Sequence, residues 1–224
     1  MTAVHVLVPV KALGLAKTRL AHALEPSTRS DLVIAMLIDT LAAVVGLPET
    51  VATVVTSDPV ATEVAFAHGA QVLPDPVHRG ESDPLNAALG LAARRIRAES
   101  PGIDLVALQA DLPALRSSEL TTALTEARSF GTAIVVDHTG DGTSALFQCR
   151  PDRPLEPMFG IQSARRHIRS GARALTDPLD GLRLDVDTLD DLEAAVRLGI
   201  GDATSQVLDR IGFLLPERAP GVRR

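Results

Sequence analysis

Short valine-rich runs alternate with longer amphipathic stretches along this chain, and that alternation limits the fold more than any other feature. VHVLVPV (4–10), TVATVVTS (50–57), AQVL (70–73), DLVALQA (104–110) and TAIVVD (132–137) are almost unbroken in apolar character. A strand covered on one face alternates apolar and polar residues, whereas one covered on both faces need not. The runs therefore predict strands of a mostly parallel sheet with helices on both sides. Helical periodicity fills the gaps at 27–46, 59–68, 84–99 and 117–129. Asp58-Pro59 and Asp83-Pro84 each set a capping acid before a proline suited to the first helical position, and Ser117 and Ser118 precede Glu119 in the same manner.

Beyond residue 138 the rhythm loosens. GDGTSALFQC (140–149) reads as a glycine loop feeding another strand, followed by the proline-rich RPDRPLEP and a basic helix over 163–171. GLRLDVDT (181–188) reads as a short strand, Thr188 with Asp191 as a capping box that opens the next helix, and 202–211 as a last helix. No repeat or linker divides the chain. The expectation is a single-domain α/β fold over 1–215, with 216–224 as a flexible tail.

Composition narrows the partners. A chain of 224 residues with 46% hydrophobic residues and a net charge of −6 is neither disordered nor short of core. No apolar run approaches the roughly 18 residues that span a bilayer, and the N-terminus lacks the layout of a signal peptide. No membrane partner and a cytoplasmic location are the expectations. Cys149 is the only cysteine, so no disulfide can form within the chain. Trp and Tyr are absent and Phe numbers five, which leaves few platforms for stacking single-stranded bases. An acidic chain also repels a phosphate backbone, so no nucleic-acid partner is expected. Self-association into a homo-oligomer stays open.

In parallel sheets, ligands sit beyond the carboxyl ends of the strands. Four places qualify: the basic loop with Lys11, Lys17 and Arg19; Asp111 after VALQA; the glycine loop at 140–143; and Asp185 with Asp187. Neither G-x-G-x-x-G nor G-x-x-x-x-G-K-[ST] follows the first strand, so the two familiar phosphate cradles are not supported. Gly14 and the lysines still offer backbone freedom and mobile point charges suited to a polyphosphate. Asp185 and Asp187, two apart on an extended segment, face the same way and repel each other unless a cation intervenes. Oxygen ligands with no nearby His or Cys suit Mg²⁺. Singly, each feature has a plainer reading: a solvated loop, a turn aspartate, a helix-capping acid. Together they suggest metal-assisted phosphoryl or nucleotidyl transfer. Opposite them, GTS (142–144) and FGIQS (159–163) offer hydroxyls and a helix start at Ser163 to a second anion, with Arg165 and Arg166 in reach and Arg169 on a solvated face. His167 reads as a packed or surface histidine, Cys149 as core, and His5, His22 and His68 have no evident partners.

VPVKALGLAKTRL, DPLNAAL, ADLP, DGTSALF, FGIQSARRH and LDVDT, in this order, resemble the 2-phospho-L-lactate guanylyltransferase family, which includes mycobacterial-type phosphoenolpyruvate guanylyltransferases. The resemblance covers about residues 3 to 200. It implies a nucleotidyltransferase (GT-A-like) fold and the transfer of GMP from GTP to phosphoenolpyruvate or 2-phospho-L-lactate, on the route to coenzyme F-420. It also implies Lys11 and Lys17 on the GTP phosphates, Lys17 and Asp111 as catalytic residues, and Pro9 and Asn86 near the guanine. Asp111, Asp185 and Asp187 would hold Mg²⁺, and Thr143, Gly160 and Ser163 would hold phosphoenolpyruvate. Pro84 and Ser144 depart from residues common in the family, the first beside the implied base pocket. Two other readings remain: a cytidylyltransferase of a sugar phosphate or molybdopterin, and a non-catalytic GTP-binding module.

Overall fold

The computed structural model describes residues 3–11, 17–22, 24–75 and 83–213. Gly14 and the tail 216–224 lie outside the described residues. Among the described residues, the strands are β1 (Val4–Pro9), β2 (Thr50–Val55), β3 (Gln71–Leu73), β4 (Asp104–Leu108), β5 (Thr132–Val136), β6 (Thr143–Gln148) and β7 (Arg173–Ala174). They form one sheet in the order β3-β2-β1-β4-β6-β5-β7. Pairing is parallel throughout except where β6 runs antiparallel to both β4 and β5.

The helices are α1 (Pro26–Val45), α2 (Pro59–Ala67), α3 (Pro84–Glu99), α4 (Ser117–Phe130), α5 (Ser163–Arg169), α6 (Asp180–Arg183), α7 (Leu189–Leu198) and α8 (Asp202–Arg210). None of the described helices is long and apolar enough to cross a membrane. β1 shows why its sequence is nearly continuous in apolar residues. Val4, Val6 and Val8 enter a core formed with α1, α2, α4 and α6–α8, while Leu7 enters a second core with α3, Phe159 and Ala164. Both faces of the sheet are thus covered, as the valine runs predict.

The caps also follow the sequence. The Asp58 carboxylate accepts from the N–H groups of Val60 and Ala61, and that of Asp83 from Asn86. α4 starts at Ser117 as the periodicity predicts, but the cap is Arg116 and not a serine: the Glu119 carboxylate accepts the Arg116 N–H, and the Ser117 hydroxyl donates to the Ala43 carbonyl.

Two expectations need correction. The segment 181–188 is not a strand: 181–183 belong to α6, and 184–187 run as irregular chain. The helical turn is imposed from outside. Gly181 lies against the Ala114 carbonyl, so close that no Cβ would fit, and its N–H donates to the Glu119 carboxylate. Cys149, read as core, stands just past the end of β6 and is only half-buried against that core.

Candidate active site

Because β6 runs antiparallel, the loop before it lies at the same edge as the carboxyl ends of β1 and β4. The glycine loop at 140–143 therefore faces the ends of the parallel strands, and a cavity of about 440 Å³ opens between them. Its walls include Asp185 and Asp187 on one side and Thr143, Gly160 and Ser163 on the other.

The acidic wall is built around Asp111. Buried Thr40 on α1 accepts the Leu112 N–H at 3.2 Å and donates to the Ala110 carbonyl at 3.3 Å, fixing the backbone on both sides of Asp111. The Asp111 carbonyl accepts the Val186 N–H at 3.1 Å, which brings 184–187 alongside. Val186 is fully buried, so the alternation inferred for Asp185 and Asp187 survives although the strand does not. Asp191 completes the frame. Its Oδ2 accepts the N–H groups of Asp187 (3.0 Å) and Thr188 (2.8 Å), and its Oδ1 lies 2.9 Å from His138 Nε2. Burial opposes the Asp191 carboxylate, but its bonds to Thr188 and to the Asp187 N–H, with His138 nearby, hold its pKa below the ordinary value.

Lys17, in left-handed backbone conformation, places its ammonium between Asp111 Oδ2 and Asp187 Oδ1, the latter at 2.7 Å. Burial opposes the charge, yet the two carboxylates outweigh it and raise the pKa of Lys17 above that of an ordinary lysine. Arg19, exposed at the rim, stands 3.7 Å from Asp187 Oδ2.

Two oxygens on this wall are left over. Asp111 Oδ1 and Asp185 Oδ1 are buried and lack a hydrogen-bond partner; His138 Nδ1 approaches the latter only to 3.6 Å. Burial first, then the charges of Asp111, Asp137 and Asp187, push Asp185 up to about 7. Orphaned carboxylate oxygens under mutual repulsion are the chemistry a hard divalent cation relieves. The donors are all oxygen, which fits Mg²⁺. Among the described residues, no three His, Cys, Asp or Glu side chains form a ready-made cage.

The opposite wall presents hydroxyls. Thr143 Oγ1 lies 3.0 Å from His167 Nδ1 and 3.1 Å from the Ser163 hydroxyl, all three residues being buried. Gly160, at φ +114°, turns the chain into this wall in a conformation few side chains tolerate. The sequence reading of α5 as an open helix start is corrected here. Asp141 already takes those groups, its carboxylate accepting the Gln162 N–H and its carbonyl the Ala164 N–H, while the Ser163 N–H donates to the Gly160 carbonyl. Arg165, Arg166 and Arg169 are exposed and outside the cavity wall.

Pro9, Lys11 and Asn86 do not line this cavity, and Lys17 and Asp111 stand behind its wall, reaching it through Asp187. Pro9 closes β1 and Lys11 is exposed beyond it. The Asn86 amide is taken up by Phe159: Oδ1 accepts the Phe159 N–H at 2.8 Å, and Nδ2 donates to the Phe159 carbonyl at 3.0 Å. It anchors the segment that delivers Gly160. Gln109, Asp137, His138 and Asp191 also line the cavity and were not singled out as site residues from sequence. For Asp137 and Gln109 the signal was available, since each lies at or just past the carboxyl end of a strand.

A protein-family model described as "Guanylyl transferase CofC like" matches residues 4–224. A phosphoenolpyruvate guanylyltransferase of Rhodococcus opacus is 49% identical over 222 residues, covering 95% of this chain and 92% of that protein. One from Nocardia farcinica is also 49% identical, covering 99% of this chain and 97% of that protein. Among solved structures, a nucleotide-diphospho-sugar transferase fold from Desulfovibrio desulfuricans superposes with a TM-score of 0.70 at 19% identity, covering 95% of this chain and 96% of that one. A 4-diphosphocytidyl-2C-methyl-D-erythritol synthase superposes with a TM-score of 0.54 at 15% identity, covering 88% and 98%. These two likenesses describe the fold, which is of the nucleotidyltransferase type.

Proposed function

The chain belongs to the CofC-like guanylyl transferase family, and from that premise we propose that it transfers GMP from GTP to phosphoenolpyruvate, releasing pyrophosphate and giving the activated diphospho-guanosine intermediate of coenzyme F-420 biosynthesis. The acceptor is named from relatives about half identical in sequence. 2-Phospho-L-lactate, which differs around one carbon, is the competing acceptor. The setting is the cytoplasm.

The observation that carries this reading is Lys17, lodged between Asp111 and Asp187, the latter lining a cavity whose other side presents hydroxyls. An ammonium has three donors. Two are engaged by the carboxylates, which leaves one for a phosphate oxygen of GTP. Lys11, exposed past β1, would meet the same polyphosphate. Asp111, Asp185 and Asp187 would hold Mg²⁺. The bound ion would supply charge neutralisation between two phosphates that otherwise repel.

The remaining work falls to the chain. The acceptor's phosphate is already mostly dianionic near neutrality, with a second pKa of about 6. Its oxygen attacks the α-phosphorus of GTP, a new P–O bond forms as the bond to the β-phosphate oxygen breaks, and pyrophosphate leaves with that electron pair. No side chain need remove a proton. What the protein supplies is alignment: Lys17 on the nucleotide tail, and Thr143, Gly160 and Ser163 on the acceptor.

The test is to incubate the purified chain with GTP, Mg²⁺ and, separately, phosphoenolpyruvate, 2-phospho-L-lactate, a sugar phosphate or no acceptor. We expect pyrophosphate and a guanylylated product of the mass required by phosphoenolpyruvate. Product with CTP in place of GTP, or GTP binding without pyrophosphate under any acceptor, overturns the reading.

A further inference from the structure

The hydroxyl wall contains a histidine that family resemblance does not assign. His167, on α5, is buried with 1% of its surface exposed. Its ring is fixed from two directions. The Met158 N–H points at Nε2 from 2.9 Å, and Phe159 packs against it edge-on with centroids 5.6 Å apart.

A backbone N–H can only donate, so Nε2 must be the accepting nitrogen. A neutral imidazole has one accepting nitrogen and one N–H. The proton therefore sits on Nδ1, which faces Thr143 Oγ1 at 3.0 Å. Burial, then the nearby Arg166 charge, lower His167 to about 4, so the ring is neutral at physiological pH.

The consequence falls on Thr143. A hydroxyl oxygen has two lone pairs and one proton. The lone pairs receive Nδ1–H of His167 and Oγ–H of Ser163. Neither partner can accept in return, so the Thr143 proton has to point elsewhere. Thr143 lines the cavity, so that proton is presented to whatever anion fills it. Were the Thr143–Ser163 bond reversed, the outward proton would move to Ser163, and the pair would still present one donor.

We infer that His167 is a positioning residue which, through the tautomer imposed by Met158, makes the Thr143–Ser163 hydroxyl pair an obligatory donor to the oxyanion of the acceptor substrate. This rests on the proposed reaction for the identity of the acceptor, but not for the hydrogen-bond chain itself. A donor locked in this way has less rotor freedom to lose on binding, which favours a ligand atom that accepts a hydrogen bond over one that can only donate.

Two measurements separate the inference from the reaction. In the unaltered chain, ¹⁵N NMR of the imidazoles should show His167 as the Nδ1–H tautomer; an Nε2–H ring overturns the inference whatever the enzyme does. Phosphoenolpyruvate binding, followed by calorimetry and, given turnover, by KM, should weaken about tenfold or more in Thr143→Val and about tenfold in His167→Phe, with the KM for GTP little changed. His167→Asn, whose amide nitrogen can stand in for Nδ1–H, should recover much of the loss; His167→Gln, which reaches only the Nε2 position, should not. The double variant Thr143→Val/His167→Phe should be no weaker than Thr143→Val alone. Full additivity, equal losses for GTP and phosphoenolpyruvate, or failure of Asn to rescue overturns the inference. If the unaltered chain binds phosphoenolpyruvate without guanylylating it, the reaction fails while the positioning role stands.

Discussion

The two walls of the cavity solve opposite problems. The acidic wall is charged and incompletely satisfied, with buried oxygens of Asp111 and Asp185 lacking partners and an ammonium between Asp111 and Asp187. The hydroxyl wall is hydrogen-bonded within itself: Thr143 Oγ1 meets both His167 and Ser163, and both nitrogens of His167 are engaged. The first stores electrostatic demand that a cation and a polyphosphate would relieve. The second stores orientation, with one donor proton left over. One enzyme joining two anions needs both, because attraction alone would bind them without aligning them.

The largest test of that contrast removes charge from the acidic wall without changing shape. Asp111→Asn or Asp187→Asn should lower pyrophosphate release roughly a hundredfold or more, the scale of losing one preorganised electrostatic contact to a transition state. Circular dichroism should show the fold retained, since the backbone near Asp111 is held by Thr40 and not by the carboxylate. Turnover within a few-fold of the unaltered chain would mean that the acidic wall is not electrostatic machinery. Lys17→Ala comes next. Its loss leaves Asp111 and Asp187 facing each other without their ammonium, and the KM for GTP should rise about tenfold, the worth of a charge-assisted hydrogen bond. An unchanged dependence on GTP concentration would remove Lys17 from the nucleotide side.

A smaller effect is expected behind the hydroxyl wall. Asn86→Ala deletes both bonds to the Phe159 backbone and should destabilise by about 1–3 kcal/mol in denaturant unfolding. It should also raise the KM for the acceptor a few-fold, because Gly160 follows directly on Phe159. A larger effect on GTP than on the acceptor would return Asn86 to the guanine pocket that family resemblance implies.

How much of this was legible in the sequence depends on how local the cause is. The valine runs fix a two-sided sheet because coverage on both faces leaves its mark on every residue of a strand. Asp58 and Asp83 announce their helices because a cap acts within three residues. The grouping of Lys17, Asp111, Asp185 and Asp187 was legible from the rule that strand ends meet at one edge. What escaped was tertiary in origin. Residues 181–183 turn into α6 because Gly181 meets Ala114 and Glu119, far away in sequence. β7 is two residues long and exists only by pairing with β5. His167 looked like any packed histidine because its role is set by the Met158 N–H and the Thr143 hydroxyl, and no spacing motif records either. Asn86 was visible as a polar residue in the right region, but its amide being matched to Phe159 was not.

The smallest expected effect comes from setting His167 against His5, the other deeply buried imidazole among the described residues. His5, on β1, bonds Thr53 Oγ1 at 2.6 Å and has nothing to do with the cavity. Burial lowers His5 to about 4, partly offset by the Glu99 charge, and burial with Arg166 does the same to His167, where the Ser163 carbonyl offsets it in part. In each case the unfolded ring, with a pKa near 6.5, takes up its proton first. The stability each neutral ring contributes is therefore present above pH 6.5 and lost as the pH falls from there towards 4. By pH 5.5 each should have cost about 1 kcal/mol, read as a falling midpoint in urea. His5→Gln should remove its share of that slope and leave the KM for phosphoenolpyruvate unchanged at pH 7. His167→Gln should remove a similar share of the slope and raise that KM. Two rings with the same titration but different kinetic consequences would locate the acceptor's donor in the hydroxyl wall; equal kinetic behaviour would make His167 only a second core histidine.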